Sequence, residues 1–90
     1  MEILKSASAG TMESSDVYVE IEPGGKELEI SLESVVEHQF GEAIMQVVHE
    51  VLAECGVDSG IVRVVDRGAL ECVLRARVET AVMRAGREAN

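Results

Sequence analysis

The sequence predicts a small α+β domain: a two-layer sandwich in which a mainly antiparallel sheet of three to four strands carries two helices on one face. Three observations point there. Apolar and polar residues alternate along 17–22 and 28–32, the period of half-buried strands. Apolar residues then recur every three or four positions along 35–55 and again along 69–85, the period of a helix with one buried stripe. The chain has 90 residues, 47% of them apolar, which suits a single domain with one core. The expected order is β-β-β-α-β-α.

Each element has local support. Residues 5–12, from Lys5 to Met12, read as a first strand or an extended arm, with few large apolar side chains. Glu13 to Asp16 turn the chain, using short polar side chains that bond local backbone. Val17, Val19 and Ile21 place branched residues on one face of a strand over 17–22. Pro23-Gly24-Gly25-Lys26 is a turn signal, and Leu28, Ile30 and Leu32 alternate beyond it, so 17–22 and 28–32 read as a hairpin. Ser34 with Glu37 three residues later has the form of a capping box. Behind it, Val36, Phe40, Ile44, Val47, Val48, Val51, Leu52 and Cys55 make the stripe of a helix over 35–55, ended by Gly56. Asp58-Ser59-Gly60 is a loop, 61–65 is a β-branched strand, and Asp66-Arg67-Gly68 turns the chain again. Leu70, Val73, Leu74, Val78, Ala81, Val82 and Ala85 mark a second helix over 69–85, and 86–90 reads as a frayed end.

Composition removes several function classes. The aromatic residues are Tyr18 and Phe40, so neither an aromatic-lined pocket nor a base-stacking platform is expected. A net charge of −9 argues against nucleic acid, whose phosphates need Lys and Arg. The charge is uneven: residues 1–60 hold thirteen acids and two bases, residues 61–90 four acids and six bases. The acidic front half reads equally as a surface that steers basic partners and as a plain solvated face. Cys55 and Cys72 show neither CxxC nor metal-type spacing and read as small buried hydrophobes in a reducing compartment. The first residues lead into small polar side chains, not an apolar targeting segment. No run approaches the roughly 18 apolar residues of a membrane span. A cytoplasmic protein without membrane contact is expected.

Candidate chemistry is sparse. His38 and His49 lie on one helix, roughly 16 Å apart along its axis, too far to share a metal. They stand among acids and read as solvated. Glu13 and Asp16 flank the pair Ser14 and Ser15. Paired carboxylates do acid–base work only where a pocket shifts one pKa, and a serine nucleophile needs a base beside it. An exposed turn offers neither, so catalysis by this chain is not expected. Arg75 and Arg77 lie on the second helix, with Arg67 just before it and Arg84 near its end, and arginines late in a helix suit its dipole. The other reading makes them contacts for a phosphate-rich group or an acidic partner. The serines themselves stay open on this reasoning: they are turn formers, or a place where something is attached.

Two segments bear on that choice. Ala9-Gly10-Thr11-Met12-Glu13-Ser14-Ser15-Asp16 and Asp66-Arg67-Gly68-Ala69-Leu70-Glu71-Cys72-Val73-Leu74-Arg75-Ala76-Arg77, in this order and at this spacing, resemble the citrate lyase acyl carrier protein, the small gamma subunit of that complex. Val36-Glu37-His38-Gln39-Phe40-Gly41 fits as well, and the resemblance covers nearly the whole chain. It implies a single acyl carrier domain over 1–90 without catalysis of its own. In that family the serine of an Ala-Gly-Thr-Leu-Glu-Ser-x-Asp motif holds a 2'-(5''-phosphoribosyl)-3'-dephospho-CoA group through a phosphodiester. The serine directly after Glu is here Ser14. Ser15 stands where the family has Ser or Gly and is the lesser candidate. Met12 replaces Leu, a mild apolar exchange, and Arg67 stands where Lys is common. Glu13 and Asp16 then read as recognition features for the transferase that loads the group.

The chemistry implied by the resemblance is thioester exchange. The alpha subunit, an acyl transferase, swaps acetyl for citrate on the terminal thiol. The beta subunit, a citryl lyase, releases oxaloacetate and restores the acetyl thioester. A tethered arm raises the effective concentration of thioester at both active sites. A related reading is the delta subunit of a malonate decarboxylase, which carries a similar group. A reading of another class is an acidic adaptor with no covalent group. Asp58-Ser59-Gly60 shares two residues with the Asp-Ser-Leu motif of ordinary acyl carrier proteins but leads into a strand, so Ser59 reads as a loop residue.

Overall fold

Period-two alternation and period-3.6 stripes become strands and helices close to where the sequence places them. The computed structural model describes residues 1–87, apart from the side chains of Glu37, His38 and Arg87. The readings of His38 as solvated and of 88–90 as frayed fall outside the described residues. The order is β1 (Glu2–Ile3), β2 (Ala7–Gly10), β3 (Val17–Glu22), β4 (Leu28–Ser34), α1 (Glu37–Glu54), β5 (Gly60–Asp66), α2 (Glu71–Ala85) and β6 (Gly86–Arg87). Four strands form the main sheet in the order β2-β3-β5-β4. β2 with β3 and β3 with β5 are antiparallel, whereas β4 with β5 is parallel.

Register puts the apolar positions on one face. Ala9 opposes Val19, Val19 opposes Val64, and Leu32 opposes Val64; Ile21 and Ile30 both oppose Val62. Val47, Val48, Val51 and Leu52 of α1 and Leu74, Val78, Ala81, Val82 and Ala85 of α2 belong to the same buried cluster. The two-layer α+β class therefore stands.

The expected hairpin of 17–22 with 28–32 is not formed. β5 lies between β3 and β4, and α1 supplies the crossover that a parallel β4–β5 pair requires. Burial explains the choice. β5 is the most buried strand, with Gly60, Val62, Val64, Val65 and Asp66 all buried, and the centre of the sheet, paired on both edges, is where that burial is available. β4 has no buried residue along its length and tolerates the edge.

Other corrections are local. The capping box does not form: Ser34 ends β4, and its hydroxyl donates to Asp66 Oδ2 at 2.8 Å while accepting from the Val36 N–H at 3.1 Å. The helix starts at Glu37 behind Val36, which provides no side-chain cap. Phe40 and Leu70, expected on the apolar stripes, are exposed because the first core-packed residue of α1 is Ile44 and α2 begins only after Leu70. Cys72 is exposed, not buried; Cys55 is half-buried against the core. Residues 86–87 are not frayed. They pair with β1, a contact between chain ends that no local pattern announces.

Candidate functional site

The octet 9–16 leaves the sheet at one end and returns to it. Gly10 closes β2 with φ +91, and a Cβ there would meet the Val17 carbonyl oxygen at 1.8 Å. Only glycine lets the two strands approach this closely while the chain departs. The tip is a β-turn in which the Asp16 N–H donates to the Glu13 carbonyl at 3.1 Å. Ser14 and Ser15 are its central residues. Ser15 sits at φ 67, the left-handed region required at the second central position of a type II turn. Both serines are exposed. Among the described residues the Ser14 hydroxyl makes no hydrogen bond, so it is open to an incoming group.

A second loop clamps this one. The Ser15 N–H donates to the Arg67 carbonyl at 2.8 Å, and the Arg67 N–H donates to the Asp16 carbonyl at 2.9 Å. The two segments singled out in the sequence, 9–16 and 66–77, are thus hydrogen-bonded neighbours. Asp66 anchors the second loop from below. It is buried, accepts from Ser34 Oγ with Oδ2 and from the Ala69 N–H with Oδ1, the short-range bonding that Asp makes at turns.

Asp16 holds the root of the octet. Its carboxylate accepts from Thr11 Oγ1 at 2.7 Å, from the Thr11 N–H at 3.2 Å and from the Val17 N–H at 2.7 Å. Arg77 adds a two-pronged contact, Nε to Oδ1 and Nη2 to Oδ2, both at 3.1 Å. The Thr11 hydroxyl, then the Val17 amide, then Arg77 pull the Asp16 carboxyl down to about 2. This changes the reading of the acid pair. Asp16 is the ionised organiser of the loop at neutral pH, and Glu13 is the exposed acid beside Ser14. The shift runs away from neutrality, so it does not equip Asp16 as a general acid or base.

The arginines also find acids within the chain. Arg75 on α2 reaches Glu50 and Glu54 on α1 as well as Glu71 one turn back, and these bonds raise its pKa, the Glu71 and then the Glu50 hydrogen bond leading. Arg84 donates to the Ser8 carbonyl at 2.9 Å. His49 is exposed, and Ser59 is a half-buried loop residue before β5. A groove of about 160 Å³ opens between α1 and α2 beside the second loop, lined by residues that include Ile44, Val47, Ala69 and Leu74; neither serine lines it. No helix of the described residues is long and apolar enough to cross a membrane.

Exposed large apolar side chains gather at the same end. Met12, Val35, Phe40 and Leu70 are exposed there, with Val35 tied through its N–H to the Asp66 carbonyl. Leu4 and Met83 lie near the far end of α2.

Sequence reasoning located the octet and the 66–77 segment but missed the Asp16–Arg77 contact, which joins residues 61 apart. The available signal was an Arg on α2 without a nearby acid at helical spacing on its own helix. Thr11, five residues before Asp16, was the other sign that the octet bonds to itself.

Comparison with known proteins gives the class first. The family model described as "ACP: Malonate decarboxylase delta subunit (MdcD)" matches residues 4–85. One chain of the crystal structure of a Pseudomonas malonate decarboxylase hetero-tetramer in complex with malonate superposes with a TM-score of 0.77 at 26% identity, over 91% of this chain and 84% of that one. An acyl carrier domain is therefore the class. Among curated relatives, the citrate lyase acyl carrier protein of Escherichia fergusonii is 55% identical over 98% of this chain and 92% of its own length. Citrate lyase acyl carrier protein 2 of Salmonella paratyphi A is 53% identical, and the Klebsiella pneumoniae protein 52%, each with the same 98% and 92% coverage. The chain belongs to the family of citrate lyase acyl carrier proteins.

Proposed function

We propose that this chain is the carrier subunit of a cytoplasmic citrate lyase, one domain over 1–90, and that Ser14 Oγ is the attachment point of a 2'-(5''-phosphoribosyl)-3'-dephospho-CoA group. The observation that carries the reading is the turn itself. Ser14 is exposed, has no competing hydrogen bond among the described residues, and rides on a tip clamped by Arg67 and rooted by Asp16. A phosphodiester anchor needs an accessible hydroxyl on a rigid base, and these residues fit it. When attached, the group supplies a terminal thiol on which acyl groups travel as thioesters. The chain's own part is to hold the anchor, to present it and to dock. It performs no chemistry itself.

The partners are the alpha acyl transferase, the beta citryl lyase and the transferase that loads the group. Exposed Met12, Val35, Phe40 and Leu70 surround the anchor end and provide apolar surface for such docking. The malonate decarboxylase reading rests on the family model and on a structure at 26% identity, against 52–55% for the citrate lyase relatives.

Intact mass and peptide mapping of protein from its native host test the proposal. Wild type and Ser15→Ala should carry the added mass on the peptide containing position 14, and Ser14→Ala should not. Ser14→Ala should fold as wild type yet abolish turnover of the assembled complex. An unmodified Ser14 in an active native complex overturns the reading, and turnover that survives Ser14→Ala favours an adaptor.

A further inference from the structure

A phosphate joined to Ser14 enters a strongly negative surrounding. The chain carries a net charge of −9, and Glu13 is the neighbouring exposed residue. A cation within the roughly 8–10 Å over which salt leaves charges unscreened would offset a second negative group at this tip. The described cations can be taken in turn. Arg77 is closest in contact terms to the octet, but its guanidinium fork is spent on the Asp16 carboxylate. Arg75 is held among Glu50, Glu54 and Glu71, and Arg84 is bound to the Ser8 carbonyl. Arg63 pairs with Glu20 at 3.9 Å. Lys26 belongs to the β3–β4 connection and Lys5 bonds the end of α2, both at the opposite end of the sheet from Asp66.

Arg67 remains. Its main chain is locked against the serine turn by two hydrogen bonds, to Ser15 and Asp16, at 2.8 and 2.9 Å. Its side chain is exposed and, among the described residues, makes no hydrogen bond or ion pair. Gly68 follows it with open space where a side chain would stand, so nothing on that flank blocks an approaching anion. A planar guanidinium matches phosphate geometry with two parallel donors.

We infer that the Arg67 guanidinium is the counter-cation of the phosphate carried on Ser14. The inference rests on the carrier reading and adds to it the residue that neutralises the anchor. It also assigns the 66–68 loop two tasks: its main chain fixes the turn, and its one long side chain meets the group that the turn carries.

The test compares unloaded and loaded protein for wild type, Arg67→Lys and Arg67→Gln, with intact mass confirming occupancy at Ser14. Arg67 contributes to the fold through its main chain, so these variants keep the clamp. In loaded wild type the Arg67 Nε–H signal should shift and exchange with water about threefold to tenfold more slowly, the scale of one exposed charge-assisted bond. The phosphodiester phosphorus resonance should move in Arg67→Gln, and Arg67→Lys should restore part of the difference. An Arg67 signal identical in loaded and unloaded protein, or a phosphorus resonance indifferent to Arg67→Gln, overturns the inference while the carrier reading stands. Absence of added mass on Ser14 in native wild type removes both.

Discussion

Gly10→Ala is the sharpest mechanical probe of the serine loop, with Gly68→Ala as its control. Both glycines have positive φ, +91 and +94. An L-residue in that region costs about 1–2 kcal/mol. The space around them differs. A Cβ at Gly10 would lie 1.8 Å from the Val17 carbonyl oxygen and 3.2 Å from Arg77 Cδ, whereas a Cβ at Gly68 meets nothing within 4 Å. No rotamer change relieves a clash with backbone. β2 and β3 must separate by roughly 1 Å where Gly10, paired with Tyr18, abuts the Val17 carbonyl, and overpacking of this kind adds about 1–3 kcal/mol. Gly68→Ala should therefore cost about 1–2 kcal/mol and Gly10→Ala about 2–5. A domain of this size has a total of roughly 5–13 kcal/mol. At about 4–8 °C per kcal/mol, the Tm of Gly10→Ala should fall at least about 4–8 °C further than that of Gly68→Ala. Thermal melts of the two variants beside wild type measure the gap, and urea melts give the same difference as free energy. The separated strands would also loosen the Thr11–Asp16 bonds, so loading at position 14 should slow in Gly10→Ala. Equal losses in the two variants would refute the claim that close strand approach, and not φ alone, demands glycine at position 10.

The remaining predictions concern the same loop. Ser15 holds φ 67, so Ser15→Gly should remove left-handed strain that exceeds glycine's added unfolded-state entropy, for a net gain of about 0.5 kcal/mol. Its thermal melt should rise by a few degrees with loading at Ser14 intact; a lower Tm contradicts the turn geometry. Asp16 has its carboxyl pulled from 3.8 down to about 2, so it stabilises the fold above the unfolded value and loses that contribution as pH falls from about 4 through about 2. Asp16→Asn should accordingly be less stable than wild type at pH 7, with the Tm difference closing across that acidic window. A difference that stays constant from pH 7 to pH 2 would mean the carboxylate charge plays no part.

The second motif shows how sequence and structure divide the work. Asp66-Arg67-Gly68 read as a turn because Gly and Asp bond and bend locally, and the structure bears that out with the Asp66–Ala69 bond. What Asp66 does besides, accepting the hydroxyl of Ser34 from across the sheet, depends on β4 and β5 running side by side. Ser34 misses its expected capping role for a different reason: it still belongs to β4, and the helix begins only after Val36. The pairing of β4 with β5 fixes where that strand ends, and a capping motif read from four adjacent residues does not contain that information.

Local pattern by itself determined the strands over 17–22 and 28–32, the stripes of α1 and α2, and the turn from Glu13 to Asp16. Each is written in residues within one or two turns of one another, where side-chain period and backbone chemistry act directly. Only the tertiary structure decided that β5 separates β3 from β4, that the chain ends pair as β1 and β6, and that Arg77 and Arg67 converge on one serine turn from 61 and about 50 residues away. Those outcomes follow from which strand carries the most buried residues and which charges are matched once the layers close, and neither condition exists until distant segments meet.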